Sequence, residues 1–183
     1  MNIFILDKDP VKAATMQCDK HIPKMVTESA QMLSTAHRML DGTMEYRPSK
    51  SGKRMIKYWA LPDDRENILY KAVHMGHPCT VWTMKTEANY MWHYVHFAAL
   101  AKEYTYRFEK SHASYVNLGY LLQTPPNNIP VGSRTPFALA MKNYPECIVE
   151  GDPVQSYRNF YHADKADFAY WRHGRRAPDW WSL

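Results

Sequence analysis

Glycine is scarce in this chain, seven among 183 residues, too few for a loop-dominated sandwich or a glycine-rich barrel. Cysteine is scarcer still. Cys18, Cys79 and Cys147 stand far apart with no paired spacing, which excludes both a secreted disulfide framework and a CxxC-type zinc site. Long apolar runs are missing as well. No stretch approaches the roughly 20 residues needed to span a bilayer. The apolar run within residues 1–7 is too short for a signal peptide and follows no basic segment. These absences predict a cytosolic protein with reduced cysteines and no membrane partner. No internal repeat, low-complexity tract or linker divides the sequence, so residues 1–183 read as one compact, mainly α-helical domain.

What is present fits that reading. Hydrophobic residues at 45% and charged residues at 22% are ordinary for a folded domain. Thirteen tyrosines and six tryptophans supply apolar area with a polar handle, suited to cores and to stacking surfaces. The net charge of +5 favours a polyanionic partner through counterion release.

Along the chain, Ile3 to Leu6 reads as a short strand or an extended segment tucked into the core. Asp9-Pro10 is an N-cap and first-turn proline for a helix over residues 11–18. A second helix starts between Asp19 and Pro23 and runs to about Leu40, where Asp41-Gly42 stops it. Residues 43–53 read as an exposed loop and 53–60 as a short helix or strand. Asp63-Asp64 opens a helix to about Met75, and Gly76-His77-Pro78 breaks the chain. Helical spacing of Met84, Ala88, Met91, Trp92 and Val95 predicts one long helix over residues 81–110. Residues 113–122 read as one more helix. Prolines 125, 126 and 130 mark a loop. Asp152-Pro153, with Gln155 placed for a capping box, starts a last helix to about Arg172.

Residues 19–40 carry the most chemistry. On a helical wheel Val26, Ser29, Met32, Leu33, Ala36 and Leu40 share one side, while Lys24, Glu28, Gln31, Thr35 and Arg38 share the other. One reading is a solvated face with i,i+4 support between Lys24 and Glu28. The other makes Glu28 a catalytic carboxylate able to stabilise a cation developing at a sugar C1′. The pattern Asp19-x-His21 followed by Glu28 resembles the start of the phage pyrimidine-dimer DNA glycosylase/AP lyases (endonuclease V type). In that family an aspartate and a histidine precede a helix bearing the essential glutamate. The family is small, basic and all-helical, with an aromatic C-terminal tail to which Trp180-Trp181 is similar. It uses the α-amine exposed by removal of the initiator methionine. Here Asn2 is of a size that normally prevents removal, so the amine implied is that of Met1, and Gln31 stands where the family carries an arginine.

The resemblance implies a covalent mechanism. A neutral amine attacks C1′ of a damaged or modified nucleotide, the base leaves and an imine forms, with Glu28 stabilising the oxocarbenium-like centre. Reaching C1′ requires a flipped nucleotide, which aromatic side chains support by stacking. Lys20, Lys24 and Arg38 are the expected phosphate contacts beside the site. Arg134 after the proline loop, and Arg158, Arg172, Arg175 and Arg176 interleaved with Trp180 and Trp181, are expected to extend the DNA interface, or else to form a solvated face over packed aromatics. His77, presented by the turn at Gly76 and Pro78 beside Asn89 and Tyr90, is either a fourth member of the catalytic group with Glu28, Met1 and His21 or a buried turn residue. Cys79 reads as a small hydrophobe.

The expectation is therefore a bacteriophage-type DNA glycosylase/AP lyase without a cofactor, with DNA as partner and no obligate protein partner. Two alternatives stand beside it: a non-catalytic nucleic-acid-binding protein, and a metal-dependent hydrolase built on His74, His77, His93 and His96.

Overall fold

Acid–proline pairs start the helices where expected. Asp9 accepts from the backbone N–H groups of Val11 and Lys12 and so caps α1 (Pro10–Thr15). Asp152 likewise accepts from Gln155 N–H at 3.0 Å to open α7 (Pro153–Lys165). The capping box is only half made, because the Gln155 amide donates forward to Asn159. A computed structural model describes residues 1–181. Between these two helices it places α2 (His21–Asp41), the hairpin β1 (Thr43–Pro48) and β2 (Met55–Ala60), α3 (Arg65–Ile68), α4 (Pro78–Lys85), α5 (Glu87–Phe108) and α6 (Ala113–Leu122). The architecture is mainly α and compact, with the two-stranded hairpin as the sheet present among the described residues. Among those residues no helix is long and apolar enough to cross a membrane.

Four sequence expectations need correction. Residues 43–53 are not simply a loop: Thr43–Pro48 pairs antiparallel with Met55–Ala60, Thr43 opposite Ala60 and Pro48 opposite Met55. The expected helix over 81–110 is two helices. Thr86 is extended between them (φ −148°, ψ 156°) and its hydroxyl accepts from Asn89 N–H, so it ends α4 and caps α5. The expected helix to Met75 stops after one turn at Ile68. Arg38 donates to the carbonyls of Glu66, Leu69 and Tyr70, which a continued helix would have paired with its own N–H groups. Finally, α7 ends at Lys165, whose carbonyl takes the N–H groups of both Phe168 and Ala169.

Helix α2 is the centre of the packing, lying against α4, α5 and α6. Its apolar stripe is buried as expected from Val26 to Ala36, with Leu40 half-buried, but so are Thr35 and Arg38, which the wheel assigned to solvent. Thr35 donates to Gln31 O and accepts from Val73 N–H. Arg38 is 1% exposed and pairs with Glu66 at 2.6 Å. Burial alone would raise the Glu66 carboxyl, but hydrogen bonds from Tyr58, Leu61 N–H and Arg38 pull it down to about 2. A second buried cation, Arg107, is held by Asp19, Glu103 and the carbonyls of Thr15 and Gln17. Asp19 also accepts from Arg172 N–H, and Glu103 from Arg175, so this network ties the C-terminal tail to α5 and to the start of α2.

Residues 3–6 form the extended segment threaded through the core, paired with no strand among the described residues. Phe4 stacks on His21 (centroids 4.5 Å apart, 12° between planes) and meets Tyr157, Phe160 and Tyr161. Arg158 donates twice to Leu6 O. The beginning of the chain is thus held on both sides by α2 and α7.

Candidate active site

Asn2 fixes where the amino terminus lies. Its side chain is buried and accepts from the Tyr157 hydroxyl at 2.9 Å and the Cys79 thiol at 3.6 Å, and its amide donates to Ala140 O. Its backbone N–H donates to Glu28 Oε2 at 3.1 Å. With Asn2 pinned, the α-amino nitrogen of Met1 lies 3.6 Å from the same Glu28 oxygen. The Met1 side chain is 3% exposed, and its sulfur accepts from the Thr80 hydroxyl. The residue as a whole is only half-buried, so the part of Met1 that meets solvent is its backbone end, which carries the amine.

Glu28 faces this amine because α2 puts it one turn beyond Lys24, whose Nζ is 3.6 Å from Glu28 Oε1. The carboxylate therefore stands between two nitrogens, one free on an exposed lysine and one fixed at the terminus. His77 is the third neighbour. It N-caps α4 through Nδ1, which accepts from Cys79 N–H at 3.2 Å. Partial burial lowers its pKa, the Met1 amino charge and His74 lower it further, and Glu28 opposes them. Burial thus favours the neutral imidazole of His77, and with Nδ1 accepting from Cys79 N–H its remaining proton is on Nε2. Cys79 behind it is no nucleophile, since burial pushes its thiol up to about 11.

The structure thus brings Met1, Glu28, Lys24 and His77 together, and it does not bring His21 with them. His21 is buried, its Nδ1 lies 2.5 Å from the Tyr161 hydroxyl, and burial together with Lys165, Lys24 and Lys20 lowers it to about 3. It is a neutral packing residue that seats Phe4, two residues beyond Asn2. Asn2 and Tyr157, which hold the terminus, were not recognised from sequence; the only signal was a polar residue opening an apolar run.

The expected phosphate contacts divide. Lys20, Lys24, Arg134, Arg172 and Arg176 are exposed. Arg38 is removed from the interface by its burial against Glu66, and Arg158 by its bonds to Leu6 O and its place over Trp180. Arg175 is taken by Glu103. The two tail tryptophans are not free stacking platforms. Trp181 is buried and stacked on His162, and Trp180 packs edge-on to Tyr161 while its indole N–H points at Met16 sulfur.

The paired histidines do not form a metal centre. His93 Nδ1 meets the Thr83 hydroxyl and His96 Nδ1 the Pro10 carbonyl, both deep in the core. Among the described residues no three His, Cys, Asp or Glu side chains come together to hold an ion. A groove of about 1250 Å³ lies between α5 and α6, lined by residues such as Val95, Tyr106 and Tyr120, but it contains neither Met1 nor Glu28. The Met1–Glu28 pair lies outside this groove, at the partly exposed terminus. Comparison of the chain with protein-family models, curated proteins and solved structures finds no match, so the reading of this site rests on its own geometry.

Proposed function

We propose that this protein is a DNA glycosylase/AP lyase of the kind found in the phage pyrimidine-dimer enzymes, a single cytoplasmic domain that uses the α-amine of Met1 as nucleophile. The observation that carries this reading is the 3.6 Å approach of that amine to Glu28, 27 residues away in sequence. The exposed cations Lys20, Lys24, Arg134, Arg172 and Arg176 support a polyanionic substrate.

In the first step the neutral amine attacks C1′ of an extrahelical nucleotide. The C1′–N bond to the base breaks, and the base leaves with the bonding pair and gains a proton. The nitrogen gives up one of its two protons as the sugar ring opens to the iminium, and in this reading Glu28 takes that proton and returns it to the ring oxygen, the proton on the departing base coming from solvent. The carboxylate also stabilises the positive charge that builds at C1′. In the second step a C2′ proton is removed from the iminium and the 3′ C–O bond breaks, releasing the phosphate. Glu28, deprotonated again once its proton has gone to the ring oxygen, is the base this reading assigns to that C2′ proton. Water then hydrolyses the imine and restores the amine.

Borohydride trapping on an abasic or ultraviolet-irradiated duplex tests this. A covalent protein–DNA adduct is expected from the wild type. It should be absent from Glu28→Gln, which keeps an oxygen acceptor for Asn2 N–H. A folded wild type that gives no adduct overturns the reading. If duplex binding then persists unchanged in Glu28→Gln with no turnover on any DNA, the protein is a non-catalytic nucleic-acid binder.

A further inference from the structure

The β1–β2 hairpin holds most of the molecule's excess charge. Residues 43–60 contain five cations, Arg47, Lys50, Lys53, Arg54 and Lys57, against the single acid Glu45, a net of +4 in a chain whose total is +5. Arg47 is turned toward the body, where it pairs with Glu66 and lies over the Tyr58 ring. Lys50, Lys53, Arg54 and Lys57 are exposed and make no ion pair among the described residues. The two faces of the ribbon differ. The register puts Glu45, Tyr58, Arg47 and Ile56 on the face that meets the body, where Tyr58 is 8% exposed and bonds Glu66. The opposite face carries Met44, Tyr46 and Met55 at 46%, 58% and 57% exposure, with Lys57 directly across from Tyr46. Uncovered aromatic and thioether side chains flanked by unpaired cations fit a ligand that offers phosphates at its edges and flat apolar surface between them.

We infer that this hairpin is a second DNA-gripping element that lies in a groove of the duplex to one side of the reacting nucleotide. The inference deepens the glycosylase reading above and rests on it for the position of that nucleotide. The major groove, about 12 Å wide, admits a two-stranded ribbon, and six-residue strands at about 3.3 Å per residue reach roughly 20 Å. The ribbon leaves the body at Gly42, directly after α2. Glu28 and Asp41 are thirteen residues apart on that helix, so the ribbon's root stands about 20 Å from the carboxylate along the axis. At about 3.4 Å per base pair the hairpin meets phosphates some six pairs from the target. Its anchorage is built for load: Arg38 Nη1 donates to both Trp59 O and Glu66, and Glu66 accepts from the Tyr58 hydroxyl and Leu61 N–H. The buried arginine expected to hold phosphate therefore holds the element that does.

The test compares wild type with the K50A/K53A/R54A/K57A variant, using fluorescence anisotropy on a labelled random-sequence duplex across a salt series. Each lost phosphate contact should flatten the plot of log affinity against log salt by about 0.9, so the quadruple variant loses a slope of roughly 3 to 4 and binds at least about tenfold more weakly. The altered side chains are solvent-facing, so an unchanged thermal melt should accompany the loss; should the variant melt early, Lys50→Ala and Lys57→Ala singly must each remove about 0.9. Unchanged slope and affinity in a folded variant overturn the inference. So does wild-type protein that binds phosphatidylserine vesicles but no duplex. Binding does not require chemistry, so the two proposals fail separately. Hairpin-dependent binding without a borohydride adduct removes the lyase alone, and an adduct with hairpin-independent binding removes the hairpin alone.

Discussion

The two ends of α2 carry the same kinds of side chain and treat them in opposite ways. At the first end Lys24, Glu28 and the Met1 amine form a loose, water-facing group, each about 3.6 Å from its partner. At the far end Arg38, Glu66, Asp41 and Arg65 form short, enclosed pairs of 2.6 to 2.7 Å. A charge that is to react with a substrate must keep an open side. A charge that fixes an arm must not. Both ends also bury a neutral histidine. His21 is held near 3 by burial and by lysines, and His37 near 4 by burial and Arg65. Tyr90 donates its proton to Leu122 O, so His37 Nε2–H donates to Tyr90 and Nδ1 accepts from Arg65.

The largest expected effect breaks the closed end. Arg38→Ala leaves Glu66 without its buried cation and four carbonyls without their donor, and should cost about 3–5 kcal/mol in a urea unfolding measurement. It should also weaken DNA binding through the hairpin, although Arg38 itself never meets solvent. Acid comes next. The folded protein keeps His21 and His37 neutral, whereas the unfolded chain protonates them near 6.5. Stability should therefore be complete above about pH 6.5 and fall as pH drops toward about 4 and then 3. Each histidine contributes at most about 1.4 kcal/mol per pH unit, and Glu66, held near 2, adds to the loss below about 4.5. A urea midpoint that holds constant from pH 7 down to 4 would contradict this. The smallest effect belongs to the open end. Lys24→Ala removes an exposed pair and should change stability by less than about 0.5 kcal/mol, while lowering duplex affinity by about one phosphate contact in its salt slope.

Much of the helical frame was legible because its punctuation is local. Asp9-Pro10, Asp41-Gly42, Gly76-His77-Pro78 and Asp152-Pro153 each act within a few residues. What stayed hidden depends on partners far along the chain. Arg38 looks solvated on a wheel because its acceptors lie 20 to 32 residues away. Thr86 splits the long helix with no glycine or proline to announce it, and Glu87 N–H pairs with Pro130 O instead. The hairpin was masked by its own charge, since alternation such as Met44, Tyr46, Pro48 against Glu45 and Arg47 resembles a polar loop until the register is known. At the site, Glu28 and Met1 are named by a resemblance, and only the fold brings them side by side. The same fold turns His21 from a reacting group into the residue that seats Phe4.

The central claim is that the amine at Met1 and the carboxylate of Glu28 act as one unit on a sugar carbon. It is tested most directly by mass analysis of the borohydride-reduced adduct on an abasic duplex, followed by proteolysis to locate the modified peptide. The account predicts a deoxyribose remnant on the α-nitrogen of Met1, lost both in Glu28→Gln and when the amino terminus is acetylated. A remnant on a lysine such as Lys24, or an adduct that survives acetylation of the terminus, would contradict it.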